Sequence, residues 1–195
     1  MEFLKDLDTI ITGILNSLGV FAPILACLLI LVESMLPVLP LAVFITVNFH
    51  YLGVIPGFLI SYLLTCAGCT ISFFLSRTKV KKYFDRMLDK KEHQKLKKIM
   101  KRLDKMKLEE IALIIAIPFT PAFLVNIAAG LSNMNFKKYL YSLLIGKLFM
   151  VYFWGFIGTS FLESLKNPYI LIKIGIILII VFIISKIVNK KFRLE

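Results

Sequence analysis

The hydrophobic positions fall in long blocks. Residues 18–49 are apolar apart from Glu33 and a few small polar side chains, and 51–76 is a continuous apolar run of membrane-spanning length. From 77 to 110 the pattern changes: Tyr83, Phe84, Met87 and Leu88, then Leu96, Ile99, Met100 and Leu103, recur at helical spacing in a charged background. That spacing predicts amphipathic helices, either solvated linkers or helices lying on a membrane surface, the linker being the simpler reading. Apolar blocks return at 111–136, 139–162 and 169–185, the last two separated by a polar break at 163–167 that Pro168 closes.

Two of these blocks contain a Pro-x-x-Pro, Pro37/Pro40 and Pro118/Pro121. Proline removes a backbone donor and clashes with the preceding turn, so each pair predicts a broken helix inside an apolar segment. The expected fold is an all-α integral membrane protein, a single membrane domain over 1–195. It is an inverted repeat with two opposed re-entrant helical hairpins (18–50 and 111–136), transmembrane helices at 51–76, 139–162 and 169–185, and a basic cytoplasmic amphipathic segment at 77–110.

Charge sets the topology. The 77–110 stretch holds fourteen Lys/Arg against six Asp/Glu, eight of the chain's twelve net positive charges, and 186–195 adds four basic residues against one acid. With 77–110 in the cytoplasm, a hairpin over 111–136 returns to the cytoplasmic Lys137-Lys138 pair, 139–162 crosses outward and 169–185 crosses back. A full span at 111–136 would strand both later clusters outside. The same logic has 51–76 entering the cytoplasm, so the first hairpin dips from the outer face. A multi-pass protein of the plasma membrane with a cytoplasmic C-terminus follows. The segment Met1 to Asp8 has three acids and one Lys, so no cleaved signal is expected.

A duplication supports the opposed hairpins. Pro37 lies 24 residues before Ser61-Tyr-Leu-Leu, Pro118 lies 23 before Tyr141-Ser-Leu-Leu, and Asn48 and Asn126 follow their motifs. Broken segments meeting at the midplane are how many secondary transporters build a substrate site.

Composition agrees: 195 residues, 58% hydrophobic, mean hydropathy +0.83 and 18% charged. The net charge of +12 is explained by anionic headgroups and topology, so no nucleic-acid partner is expected. Cys27, Cys66 and Cys69 lie in apolar segments and are read as packing residues; Cys66-x-x-Cys69 lacks a second ligand pair, so neither metal nor cofactor is expected. Enzyme motifs are missing, and His50 and His93 fall in unrelated blocks.

Glu33-Ser-Met-Leu-Pro37-Val-Leu-Pro40, Ile117-Pro118-Phe-Thr-Pro121, Asn126-Ile-Ala-Ala-Gly130-Leu and Phe136-x-x-Tyr139 through Gly146-Lys147 together resemble the DedA family of the VTT (SNARE-associated Golgi) superfamily. The resemblance covers roughly residues 20–162. It implies two opposed re-entrant hairpins and lipid translocation, of undecaprenyl phosphate in bacterial members and of phospholipids by scrambling in eukaryotic relatives. The sequence departs from the best-known bacterial branch, which follows its first motif with Gly and an acid where this chain has Leu41-Ala42. That branch also often has an Arg where this chain has Ile115, so phosphate recognition needs another cation.

Glu33 is the candidate for proton coupling, because a carboxylate in an apolar segment persists where it pairs, protonates or lines a wet cavity; the alternative is a structural cap on the hairpin break. Lys147, deep in the 139–162 block, is the substitute cation, expected to neutralise Glu33 or attract a lipid phosphate, or else to snorkel to a headgroup layer. Pro37, Pro40, Pro118, Thr120, Pro121, Asn126 and Gly130 are expected to shape the hairpins and cavity. Thr120 and Asn126, like Asn48, would satisfy freed backbone groups, Gly130 would make a hairpin turn, and Gly155-x-x-Gly158 would serve helix contact. The expected partners are a lipid substrate and membrane phospholipids; a homo-oligomer is compatible with the sequence. Three functions fit: a lipid carrier coupled to protons through Glu33, a passive scramblase or small-solute channel, or a non-transporting interaction protein docking through 77–110.

Overall fold

The computed structural model describes residues 19, 21–36, 40–80, 100–120, 122–164, 167 and 169–192; Pro37, Pro121 and 81–99 of the basic segment lie outside these. The helices are α1 (Phe21–Met35), α2 (Leu41–Leu52), α3 (Val54–Leu75), α4 (Leu108–Ala116), α5 (Ala122–Leu131), α6 (Phe136–Ser164) and α7 (Tyr169–Phe192). α3 continues as a π-helical turn over Ser76–Val80, and a short helical stretch at 100–105 precedes α4. Among the described residues, three stretches are long and apolar enough to cross a membrane: Val54–Thr78, Phe136–Ser164 and Tyr169–Phe192. The chain is a membrane protein whose described elements are all helical. At about 1.5 Å per residue, α1, α2, α4 and α5 are each too short for a hydrocarbon core of about 30 Å.

Local chemistry places the breaks. Ile117 is extended (φ −82°, ψ 120°), the conformation forced on a residue before proline, and Pro118 thereby ends α4 at Ala116. Phe119 then takes a left-handed φ of 66°. Between α2 and α3 a single residue turns the chain, Gly53, at φ 83° and ψ 168°, a backbone region essentially restricted to glycine. α4 begins at Leu108 because Glu110 accepts the Lys107 N–H at 2.7 Å and two acids occupy its first turn. Two boundaries differ from the sequence expectation. α6 starts at Phe136 rather than 139, where Asn135 Oδ1 accepts the Lys137 N–H at 2.9 Å. α7 runs on to Phe192 rather than 185, its last turn carrying Lys190 and Lys191, which suit the negative end of the helix dipole.

α1 packs on α2 and α3, α2 also on α3 and α6, α4 on α6, α5 on α3, and α7 on α6. Small residues set these contacts, as expected where lipid supplies no hydrophobic drive between helices. A Cβ on Gly68 would meet Ser34 Cβ at 2.6 Å, and one on Gly146 would meet the Ala112 carbonyl oxygen at 2.7 Å. Gly155 and Gly158 admit Phe49 and Thr46 of α2. Gly130 departs from its expected role as a hairpin turn. It lies within α5, has no left-handed φ, and lets the Phe73 carbonyl and Ser76 of α3 approach. Buried hydroxyls bond to their own helices, Ser34 to the Ile30 carbonyl (2.7 Å) and Thr65 to the Ser61 carbonyl (2.6 Å), so they cost little in lipid.

The basic stretch is not wholly solvated. Leu103 and Met106 are buried in one cluster with Ile111, Ile115, Val188 and Phe192. The apolar stripe read from the sequence covers protein here, and Arg102 Nη1 donates to the Phe192 carbonyl at 2.6 Å, capping the end of α7. Arg77 does the same for α5: its guanidinium reaches the carbonyls of Gly130 (3.3 Å), Ser132 (3.2 Å) and Met134 (2.6 Å) while lying 4.5 Å over the Phe73 ring. An ammonium cannot present that fork. Arg77→Lys is expected to lower stability by about 2 kcal/mol, read as a shifted thermal unfolding curve; an unchanged curve would show the three bonds to be dispensable.

Candidate functional site

α1 ends beside the first break and carries Glu33, 8% exposed, against α3. The Ser34 carbonyl next to it accepts the Cys69 thiol at 3.7 Å. One turn of polar contacts then leads across the interior. The Tyr139 hydroxyl lies 3.1 Å from the Cys69 carbonyl and 3.0 Å from Asn126 Oδ1, its one proton serving either acceptor, and its ring stacks on Phe73 at 4.3 Å. Cys66 and Cys69 are free thiols packed among these groups.

Lys147 lies on α6 and is 3% exposed. Its Nζ meets the Met150 thioether at 3.4 Å and lies within electrostatic reach of Cys66. Glu33 and Lys147 are therefore both interior, and the polar contact of the Lys147 ammonium is with its own helix, at Met150. Lys147 does not snorkel: its ammonium points into protein rather than to a headgroup layer.

At the second break, Thr120 Oγ1 donates to the Ile114 carbonyl at 2.7 Å, the acceptor that Pro118 leaves without an N–H partner, and also contacts the Ile117 carbonyl. Pro118 is buried, and Phe119 turns outward to meet Trp154 edge-on at 5.6 Å and Phe182 at 6.0 Å. Of the first motif, Pro40 precedes α2 at φ −77°, ψ 96°. Pro37 and Pro121 are outside the described residues.

The asparagines make matching contacts. Asn48 Nδ2 donates to Ser61 Oγ at 3.1 Å, and Asn126 Oδ1 receives Tyr139; each partner lies 13 residues on, upon the following long helix. Sequence reading singled out the asparagines but missed Ser61 and Tyr139 as partners, although the equal spacing was there to find. The differences 126 − 48, 139 − 61 and 146 − 68 are all 78, as is 118 − 40. The same contacts thus recur at one spacing, pairing Pro118 with Pro40 rather than with Pro37.

A partly open cavity of about 540 Å³ lies between α1, α2, α6 and α7. Ala26, Ala42, Val47, Trp154, Phe161 and Leu178 are among its walls, and His50 is the one ionisable lining residue among the described residues. No sequence signal marked it, because its walls are ordinary apolar residues brought together from four helices.

A family model for the VTT domain matches residues 36–160. The chain belongs to the VTT domain family. Its VTT match encloses Pro40, Asn48, Pro118, Asn126 and Lys147, while Glu33 stands three residues before it and α7 beyond it. The chain is also 31% identical over 160 residues to the uncharacterized membrane protein YhjE of Bacillus subtilis (strain 168), covering 81% of this chain and 75% of that one. This VTT protein matches no solved structure.

Proposed function

We propose that this protein moves a lipid phosphate, undecaprenyl phosphate or a glycerophospholipid, between membrane leaflets, with Glu33 as the proton-coupling group and Lys147 as the cation that receives the phosphate inside. The observation that carries the reading is the recurrence of one contact set at a 78-residue spacing: a proline break, a short helix bearing an asparagine, that asparagine's partner on a long helix, and a glycine where the long helix meets the first short one. Such a repeat, with broken helices in the interior, fits an inverted-repeat transporter. Opposed re-entrant hairpins account for the ends as well. Arg77 ties the end of α3 to the α5–α6 loop, Lys138 Nζ reaches the Asp104 carbonyl at 3.5 Å, and Arg102 holds the end of α7. If these ends share the cytoplasmic face, α4 and α5 enter and leave on one side.

Glu33 gives the reading its chemistry. A carboxyl group inside an apolar segment is retained for function by default, and a change of access during transport would let it exchange a proton. Full-length protein in vesicles containing a fluorescent phospholipid, with and without a proton gradient, tests this. Glu33→Gln is expected to bring gradient-driven movement down to the level of protein-free vesicles. Wild-type flux that ignores the gradient would sink coupling.

The partly open, apolar cavity between α1, α2, α6 and α7 supports a second reading, passive scrambling, in which Glu33→Gln keeps most of its flux. No movement of any phospholipid tested would leave a non-transporting interaction protein, with the 77–110 segment as its docking surface.

A further inference from the structure

We propose that the cavity between α1, α2, α6 and α7 is the seat of one membrane phospholipid, its acyl chain along the trough and its phosphate against His50; this rests on the lipid-transport reading above. The trough is partly open and is walled by the C-terminal half of α6 (154–162) and the N-terminal half of α7 (174 and 178), two helices able to cross a membrane, so what borders it there is hydrocarbon and what fills it is a chain of the same kind. Its volume, about 540 Å³, is that of a ligand pocket rather than of a packing flaw. Apolar walls reject a hydrated headgroup along its length, and the single ionisable wall residue among the described residues, His50 in the last turn of α2, is exposed and offers a donor for a phosphate oxygen.

The trough also joins the two breaks. Trp154 is one of its walls and touches Phe119 of the second break, while Ala42, at its other end, follows Pro40 of the first. Its counterpart 78 residues on is closed. Leu25 is 46% exposed where Leu103 is 0% exposed, and the exposed His50 corresponds to the fully buried Ala128; Val188 and Phe192 pack in that second cluster. The fold can therefore fill this position with its own side chains, and on the first side it leaves room.

Trp154 is the only tryptophan of the chain, so its fluorescence reads the trough alone. The full-length protein in detergent is titrated with phosphatidylglycerol brominated on its acyl chains, and separately with brominated diacylglycerol, which lacks the phosphate. Saturable quenching is expected, stronger for bromines near the ester end than near the methyl end, because Trp154 lies at the His50 level. Ala42→Phe fills the trough and is expected to raise the half-saturating concentration about tenfold. Val43→Phe, on an exposed site of the same wall, covers the case in which Ala42→Phe fails to fold. His50→Ala should weaken phosphatidylglycerol about tenfold and leave diacylglycerol unchanged. Quenching that is linear in lipid, or equal in wild type and both filling variants, would overturn the seat; an unchanged preference for phosphatidylglycerol in His50→Ala would overturn the phosphate contact. No transport enters this measurement. Saturable quenching without lipid flux would leave the seat standing and remove the transport reading, and flux without saturable quenching would do the reverse.

Discussion

Gly130→Ala is expected to destabilise the protein by about 3 kcal/mol or more, whereas Gly175→Ala should leave stability unchanged or raise it by up to about 1 kcal/mol. Both are helical glycines, so propensity alone favours alanine at each. What separates them is the neighbour. A Cβ at Gly130 would lie 2.4 Å from the Phe73 carbonyl oxygen and 2.7 Å from Ser76 Cβ, whereas at Gly175 nothing lies within 4 Å. The first contact is with backbone, and α3 cannot yield easily: the next residue after Ser76 is Arg77, whose guanidinium holds the Gly130, Ser132 and Met134 carbonyls. Moving the two helices apart would stretch those bonds and unstack Arg77 from Phe73. Thermal unfolding in detergent compares the two variants with wild type. Equal melting of Gly130→Ala and wild type would mean that the α3–α5 contact is looser than described.

How far the sequence could be read follows from the range of each signal. The spanning helices were legible because length and apolarity are local properties, and Val54–Thr78, Phe136–Ser164 and Tyr169–Phe192 contain the expected blocks almost entire. Pro118 announced its break for the same reason: the constraint on Ile117 acts on the adjacent residue. The end of α7 was misread because Lys190 and Lys191 look like the start of a polar tail, yet cations suit a helix C-terminus, and Arg102, far away in sequence, supplies the cap. Arg77 was counted as the first residue of a basic run. Its true task depends on carbonyls more than fifty residues later, which no local pattern encodes.

The candidate site was legible residue by residue, but its connections were not. Glu33, Asn126 and Lys147 stood out because polar groups are rare in apolar blocks. That Asn126 would meet Tyr139 depends on how α5 and α6 rotate against each other. The repeat register shows the same limit. Matching the Pro-x-x-Pro motifs as units aligns Pro37 with Pro118, whereas the contacts align Pro40 with Pro118; in a helical protein a shift of three residues moves a side chain by nearly a full turn, so both registers preserve the apolar pattern.

Lys147→Met is expected to separate stability from activity, raising the first by about 2 kcal/mol and lowering lipid flux about tenfold or more. Burying an ammonium is costly, and a thioether is a weak acceptor, so the Met150 contact at 3.4 Å offsets little of that cost. Methionine has a similar length, is apolar and adapts to irregular space, so it can occupy the same slot beside Gly146 without a new void. A structural lysine would behave in the opposite way: its removal would lower the melting temperature, and flux would fall only as folded protein was lost. The informative result is a higher melting temperature together with slower flux per folded molecule, since a group that costs stability and speeds transport is retained for its chemistry. Undiminished flux in a stabilised Lys147→Met would remove Lys147 from the phosphate path and leave His50 of the trough as the donor assigned to the phosphate.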